Sequence, residues 1–254
     1  MELKRAVIIP DCHIPFECHD SFSLLLKVIK LFRPHEVVIL GDFLDCYAAS
    51  QYEKDPRMGD VGHFLAREFE CANIRLDQID KAAGNAKKIY LEGNHEFRIE
   101  KMLLGQSKAF HGLIDLTRLL NLDKRPRWSF VPYTFDQAYQ VLKSPLWARH
   151  NPVVGGSEQN SAKQAGDSYI HGHDHQINEG SFVTRLSKKK VISISSGWLG
   201  DAKKNRSVFD YVKAFPSWAK AFTLVWANEK EFIHDTVRIM EGGKCLYQGK
   251  LISV

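Results

Sequence analysis

Short apolar runs that end in Asp or Gly punctuate the first hundred residues. Ala6 to Pro10 (AVIIP) and Val37 to Leu40 (VVIL) are continuous and rich in β-branched residues, as expected of strands buried on both faces that release loops at their carboxyl ends. Between them Phe22, Leu25, Leu26, Ile29 and Phe32 recur at three- and four-residue spacing, with Asp20 placed to cap the helix and Arg33-Pro34 to stop it. A second helical pattern runs from about Val61 to Ala83, and after Gly84 a third strand is predicted over Lys88 to Glu92. Strand, helix, strand, helix, strand implies a parallel α/β layer.

After Asn94 the periodicity loosens through residues 97 to 145, where Ile99 to Leu104 and Leu113 to Asn121 read as helical ahead of the turn-rich Lys124 to Arg127. Strand signals return at Leu146 to Arg149 and Ser168 to Ile170. From Phe182 onward the pattern is that of antiparallel hairpins, SFVTRL and VISISS around Ser187 to Lys190, then AFTLVWA and FIHDTVRI around Asn228 to Lys230. No linker, repeat or low-complexity tract divides the chain, so one domain is expected over residues 1–254.

Composition adds exclusions. With 254 residues, 44% hydrophobic and 26% charged, the chain is neither disordered nor collagenous nor a disulfide miniprotein, and its net charge of +5 is mild. Five cysteines, at positions 12, 18, 46, 71 and 245, form no CxxC pair, which argues against a disulfide framework or a cysteine zinc cluster and for a reducing cytoplasm. The apolar run at Ala6 to Pro10 is too short for a signal peptide, and no run approaches the ~18 residues of a membrane span. Eleven histidines change the picture, because several stand beside Asp, Asn or Gly in the manner of metal sites.

Five short motifs fall where loops should leave strands: Asp11-Cys12-His13, Gly41-Asp42-Phe43-Leu44-Asp45, Gly93-Asn94-His95-Glu96, His150, and Gly172-His173-Asp174-His175. Active sites of open α/β sheets gather beyond the carboxyl ends of strands, so these loops are expected to converge. Their side chains are imidazole, carboxylate and amide, without thiolate.

The ordered set DxH, GDxxD, GNHE, H and GHxH resembles the calcineurin-like metallophosphoesterase superfamily over residues 11 to 175. The contexts YLEGNHEFR and IHGHDH are most similar to phosphoesterases carried in phage and prophage genomes. The resemblance implies a four-layer α/β/β/α sandwich of two mixed sheets flanked by helices, and a binuclear metal centre. Asp11, His13 and His175 would hold one metal, Asn94, His150 and His173 the other, with Asp42 bridging. Mixed N/O ligation suits Mn²⁺, Fe, Zn²⁺, Co²⁺ or Ni²⁺, and Mn²⁺ is the first choice. In the family a bridging hydroxide attacks phosphorus, His95 lies over the substrate as general acid or phosphoryl donor, and Asp45 matches the carboxylate that orients it.

One departure bears on substrate. Protein Ser/Thr phosphatases of this superfamily place Arg directly after the second Asp of GDxxD, where it grips a monoester's terminal oxygens, and here that residue is Cys46. The substitution favours a phosphodiesterase or nuclease over a phosphoprotein phosphatase. Arg98 is the candidate substrate contact in its place, the alternative being a surface arginine on a helix. His19, His35, His63, His111 and His234 lack neighbouring ligand types and are expected in surface or core roles, whereas His171 abuts GHxH and is either structural or a residue that fixes a ligand.

Residues 185 to 213 hold eight basic residues against two acidic ones, together with Trp198, Phe209 and Tyr211, and Phe215 and Trp218 lie just beyond. That composition suits a charged groove with stacking platforms for DNA or RNA, and equally a solvated turn beside core aromatics. Ser195 to Trp198 is expected to turn near the metals through its backbone. The expected function is therefore metal-dependent phosphoester hydrolysis, of a phosphodiester in nucleic acid or nucleotides first and of a phosphomonoester second. A non-catalytic scaffold, of the kind retromer's phosphoesterase-like subunit exemplifies, is disfavoured because all seven ligand positions and His95 are present. No membrane association is expected, and a phage-encoded chain would work in the host cytoplasm.

Overall fold

A computed structural model describes residues 2–50, 61–110, 112, 115–205, 208–209 and 217–254. His111, Arg206, Asp210, Tyr211, Lys213 and Phe215 lie outside the described residues, as does the side chain of His63.

The apolar runs become strands of two mixed sheets. In the first, β1 (Lys4–Ile9), β2 (Glu36–Ile39), β3 (Lys87–Leu91) and β4 (Trp128–Val131) run parallel, and β10 (Ala221–Ala227) and β11 (Phe232–Arg238) extend the β1 edge antiparallel. In the second, β6 (Leu146–Arg149), β7 (Ser168–His171) and β9 (Lys190–Ser196) are parallel, with β5 (Tyr139–Gln140) and β8 (Ile177–Val183) antiparallel at the two edges. The hairpin β12 (Lys244–Tyr247) and β13 (Lys250–Ser253) stands apart from both.

Alternation along each strand divides its side chains between two cores. Ala6, Ile8, Val38, Leu40, Ile89 and Leu91 meet Leu146, Ala148, Ile170 and Ile194 in a sheet-on-sheet core. On the outer face, Val7, Ile9, Val37, Ile39 and Tyr90 pack against α1 (His19–Phe32) and α2 (Val61–Ala83). Helix α3 (Asn94–Gln106) leaves directly from β3, α4 (Leu116–Leu119) is a single turn, and α5 (Glu158–Ala165) packs on β8 and β9. The helix, sheet, sheet, helix layering follows from these faces.

Three details depart from the sequence reading. Helix α1 begins at His19 after Cys18, which makes no side-chain cap, so Asp20 sits within the first turn, where it complements the helix dipole. Helix α3 begins at Asn94, not near Ile99, and carries three motif residues, Asn94, His95 and Glu96, in its first turn. Strands β4, β12 and β13 and helix α5 carry weak patterns. In α5 only Ser161 and Ala162 are buried, and its start is marked instead by Ser157, whose Oγ accepts the Asn160 N–H.

Candidate metal centre

The five motif loops leave β1, β2, β3, β6 and β7 at their carboxyl ends and come together. The local backbone is unusual: His13, Asp42, His173 and His175 all have positive φ, at 53°, 45°, 67° and 58°. Such left-handed conformations cost non-glycine residues ~1 kcal/mol or more, and clustered at a cleft they mark a site whose geometry the surroundings enforce. The motif glycines have a steric reason. A Cβ on Gly172 would lie 2.1 Å from Asp11 Oδ1, and one on Gly93 would lie 2.2 Å from Asp42 Oδ1.

Two donor clusters result. In one, Asp11, His13 and His175 are buried, with His13 Nε2 and His175 Nε2 3.0 Å apart and Asp11 Oδ2 3.2 Å from His175 Nε2. His13 Nδ1 donates to Asp45 Oδ2 at 2.8 Å, which leaves the Nε2 lone pair facing the cluster. The His173 N–H donates to both Asp11 oxygens, at 3.0 and 2.9 Å, and aims that carboxylate. In the other, Asn94 Oδ1 lies 2.9 Å from His150 Nε2 and 2.8 Å from His173 Nδ1, and Asp42 Oδ1 is 3.3 Å from His150 Nε2. His150 Nδ1 donates to the Leu40 carbonyl at 2.9 Å, again freeing Nε2. Asp42 also joins a grouping with His13 and His95, so it stands between the two clusters.

This donor set suits divalent cations. Four imidazoles, two carboxylates and an amide oxygen converge without thiolate, and two imidazoles have their outer nitrogens committed so that the inner ones face the clusters as the nitrogens a cation would take. Burial raises Asp42, but the His150 and His95 charges override it and hold the carboxyl well below the usual range. Burial likewise lowers His150, and the Asp42 charge and hydrogen bond reverse this, pushing it up to about 9.

His95 is 8% exposed at the second position of α3. Its N–H donates to Asp42 Oδ1 at 2.8 Å and its Nδ1 donates to the Asp45 carbonyl at 2.7 Å. Arg98 Nη2 lies 2.7 Å from His95 Nε2, and Nη1 is 3.3 Å from the Asp45 carbonyl. Burial above all brings His95 down to about 4. Asp45 thus differs from its expected role: its carboxylate serves His13, lying 3.7 Å from His95 Nδ1, and its backbone carbonyl holds His95.

The family model for calcineurin-like phosphoesterase matches residues 4–177, which span all five motif loops. The chain belongs to the calcineurin-like phosphoesterase family. It is 23% identical to the Gene 54 protein of Mycobacterium phage L5, covering 99% of both chains, and 25% identical to that of Mycobacterium phage D29, covering 94% of this chain and 95% of the relative. These relatives agree with the likeness to phage-borne members seen in the motif contexts. Among solved structures, Vps29 (Vacuolar Protein Sorting 29) from Cryptosporidium parvum superposes with a TM-score of 0.51 at 11% identity, over 100% of this chain and 97% of that one, which shows a shared fold.

Several residues that serve the phosphoesterase loops escaped the sequence reading. Glu96 is buried and accepts the N–H groups of Asp42 (3.0 Å), Leu44 (2.9 Å) and Gly93 (3.0 Å) and the Tyr90 hydroxyl (2.8 Å), tying the second and third loops together. A Glu three residues after a helix N-cap is a sequence signal for part of this. Gln137 accepts the His150 N–H at 3.0 Å. Removing Glu96 orphans four buried donors at ~1–3 kcal/mol each, so Glu96→Ala is expected to destabilise the metal-free chain by about 3 kcal/mol or more in urea denaturation.

His171 does not join the two clusters. Its Nδ1 donates to the Gly172 carbonyl at 2.8 Å and its Nε2 meets Glu158 at 3.1 Å, anchoring the GHxH loop to α5. His19, His35 and His234 stay away from the centre, pairing with Glu17, Arg5 and Glu179.

Three of the described basic residues of this stretch lie away from the ligand loops. Lys188 to Lys190 lie at the Val183 and Lys190 end of the β8–β9 ladder, whereas Ile177 and Ser196 mark the end near the ligand loops. Seven residues of strand separate these ends by roughly 20 Å. Trp198 and Phe209 are buried, Trp198 stacking on His175 with ring centroids 4.8 Å apart and Phe209 meeting His13 at 5.8 Å, so neither offers a face to a base. Changing Lys188, Lys189 and Lys190 to Ala is expected to leave oligonucleotide turnover at physiological salt within about twofold, because a Debye length of ~8 Å screens charges that far away.

Proposed function

We propose that this chain is a metal-dependent phosphodiester hydrolase acting on nucleic acid or nucleotides. The observation that carries the reading is the pair of donor clusters meeting at Asp42, with His95 on the same carboxylate. Asp11, His13 and His175 would hold one divalent cation and Asn94, His150 and His173 the other, with Asp42 serving both and Mn²⁺ the first choice. Such a pair supplies Lewis-acid charge to a phosphoryl group and activates water.

The protein's own groups account for the rest. Asp45 and Leu40 set the tautomers of His13 and His150, so the site binds without rearranging its imidazoles. His95, with its proton on Nδ1, presents Nε2 beside Arg98, and an incoming phosphoryl oxygen would draw the Arg98 guanidinium to itself, leaving Nε2 free to accept a proton from the attacking water and to return it, from the imidazolium so formed, to the leaving oxygen.

Diester preference rests on Cys46. It is wholly buried, its backbone N–H is committed to Glu68, and it cannot grip the terminal oxygens of a monoester. Comparing bis-p-nitrophenyl phosphate with p-nitrophenyl phosphate in Mn²⁺ tests this, and faster turnover of the monoester would overturn it. A Vps29-like scaffold is the second reading, favoured only by the shared fold. The free state of all five cysteines fits work in a reducing cytoplasm, and no helix among the described residues is long and apolar enough to cross a membrane.

His150 also gives the site a pH dependence. With its pKa raised from 6.5 to about 9, the protonated ring favours the metal-free fold fully below pH 6.5, and that contribution is lost as pH rises through 9. A cation must displace this proton, so apparent Mn²⁺ affinity is expected to rise by up to about tenfold per pH unit between 6.5 and 9. Mn²⁺ titrations at three pH values across that window check it, and a flat affinity would contradict it.

A further inference from the structure

The loop after β2 is held from two sides by buried carboxylates. Glu96 holds its first half, through Asp42 and Leu44. Glu68, on α2, holds its second half: Glu68 Oε2 accepts the Cys46 N–H at 2.6 Å and Oε1 accepts the Tyr47 N–H at 3.0 Å. Glu68 is wholly buried, and burial followed by the Asp45 charge pushes its carboxyl up to about 9 against three backbone donors. A carboxyl placed at that cost, with no contact to either donor cluster, calls for a reason.

The reason lies in one peptide unit. Cys46 adopts a left-handed conformation with φ of 51°, which turns the Asp45–Cys46 peptide across the loop. Its N–H end points to Glu68 and its C=O end accepts the His95 Nδ1 proton at 2.7 Å, with Arg98 Nη1 at 3.3 Å from the same oxygen. A carbonyl oxygen only accepts, so this contact places the ring proton on Nδ1 and leaves Nε2 as the reactive nitrogen. An acceptor on the N–H end polarises the peptide and strengthens its carbonyl as an acceptor, and it also secures a backbone conformation that a cysteine rarely adopts.

We propose that Glu68 is a positioning residue for His95, fixing the Asp45–Cys46 peptide so that its carbonyl holds the imidazole in the Nδ1–H tautomer with Nε2 toward the reacting phosphoryl group. The proposal rests on the hydrolytic reading of the site for its kinetic consequence, and on geometry alone for its tautomeric one.

The test uses Glu68→Ala and Glu68→Gln in the full chain, with His95→Ala to assign the His95 signals. Long-range ¹H–¹⁵N correlation of the histidine rings reads the tautomer directly. Wild type is expected to show His95 as Nδ1–H, Glu68→Ala to shift population toward Nε2–H, and Glu68→Gln, which keeps one acceptor oxygen, to fall between. On bis-p-nitrophenyl phosphate in Mn²⁺, Glu68→Ala should lower kcat by about 10–100-fold with KM and Mn²⁺ stoichiometry unchanged, and Glu68→Gln should recover part of the loss. An unchanged tautomer in a folded Glu68→Ala chain overturns the proposal, as does a loss of activity that only follows loss of metal. Should Glu68→Ala fail to fold, Glu68→Gln decides by the same two readouts. If wild type hydrolyses no phosphoester, the functional reading fails, and the ring correlations still decide the role of Glu68.

Discussion

Replacing His95 with alanine is expected to lower kcat on bis-p-nitrophenyl phosphate by about 10²–10⁴-fold while the chain binds as much Mn²⁺ as wild type. The expectation follows from where the ring sits. Its contacts run to the Asp45 carbonyl, to Arg98 and to Asp42 Oδ2 at 3.7 Å, whereas the two donor clusters keep Asp11, His13, His175, Asn94, His150 and His173 without it. Its backbone N–H, which aims Asp42 at 2.8 Å, survives the substitution. Metal analysis after dialysis separates the two losses. Near-wild-type kcat would remove His95 from the mechanism, and loss of metal would make it a ligand instead.

Gly172→Ala is expected to be as damaging by a different route. The new Cβ would lie 2.1 Å from Asp11 Oδ1 and 3.2 Å from its Cγ, so the carboxylate that the His173 N–H now aims must swing away. The Asp11, His13 and His175 cluster then loses the carboxylate that belongs to it alone, leaving only the shared Asp42, and misplacement on the scale of 1 Å can cost ~10² in rate. We expect the variant to bind one equivalent of Mn²⁺ fewer than wild type and to lose at least about 100-fold in kcat. Full metal occupancy with wild-type turnover would show that Asp11 is not required as a ligand.

The sequence disclosed the parts of this site that are chemical and local. Strands β1, β2 and β3 contain continuous apolar runs, β6 and β7 shorter strand signals, and each is followed by a motif whose residue types bind cations, so both the sheets and the loops could be read in order. What remained hidden depends on partners far apart in the chain. Glu68 and Glu96 look like ordinary helix glutamates until α2 and α3 carry them to the backbone of residues 42 to 47. Trp198 and Phe209 fit a stacking platform by composition and instead line the back of His175 and His13. The lysines at 188 to 190 are near the GHxH motif in sequence, but a full strand length carries them to the opposite end of the sheet. Helix α5 and the β12–β13 hairpin were hard to see because little of either is buried.

The role of Asp45 shows the same limit within a motif. Its place in GDxxD marked it as a partner of a histidine, and the structure decides which one: the side chain takes His13 at 2.8 Å, the main chain takes His95 at 2.7 Å. A single residue therefore couples a candidate ligand to the candidate acid.

Two cations at these seven residues are proposed to support phosphodiester hydrolysis. The most direct measurement is the rate of bis-p-nitrophenyl phosphate hydrolysis by the metal-stripped chain as Mn²⁺ is titrated back. No turnover is expected without metal, and the rate is expected to saturate at two equivalents per chain. Turnover that survives chelation, or none at any level of Mn²⁺, Co²⁺, Ni²⁺ or Zn²⁺, would contradict it.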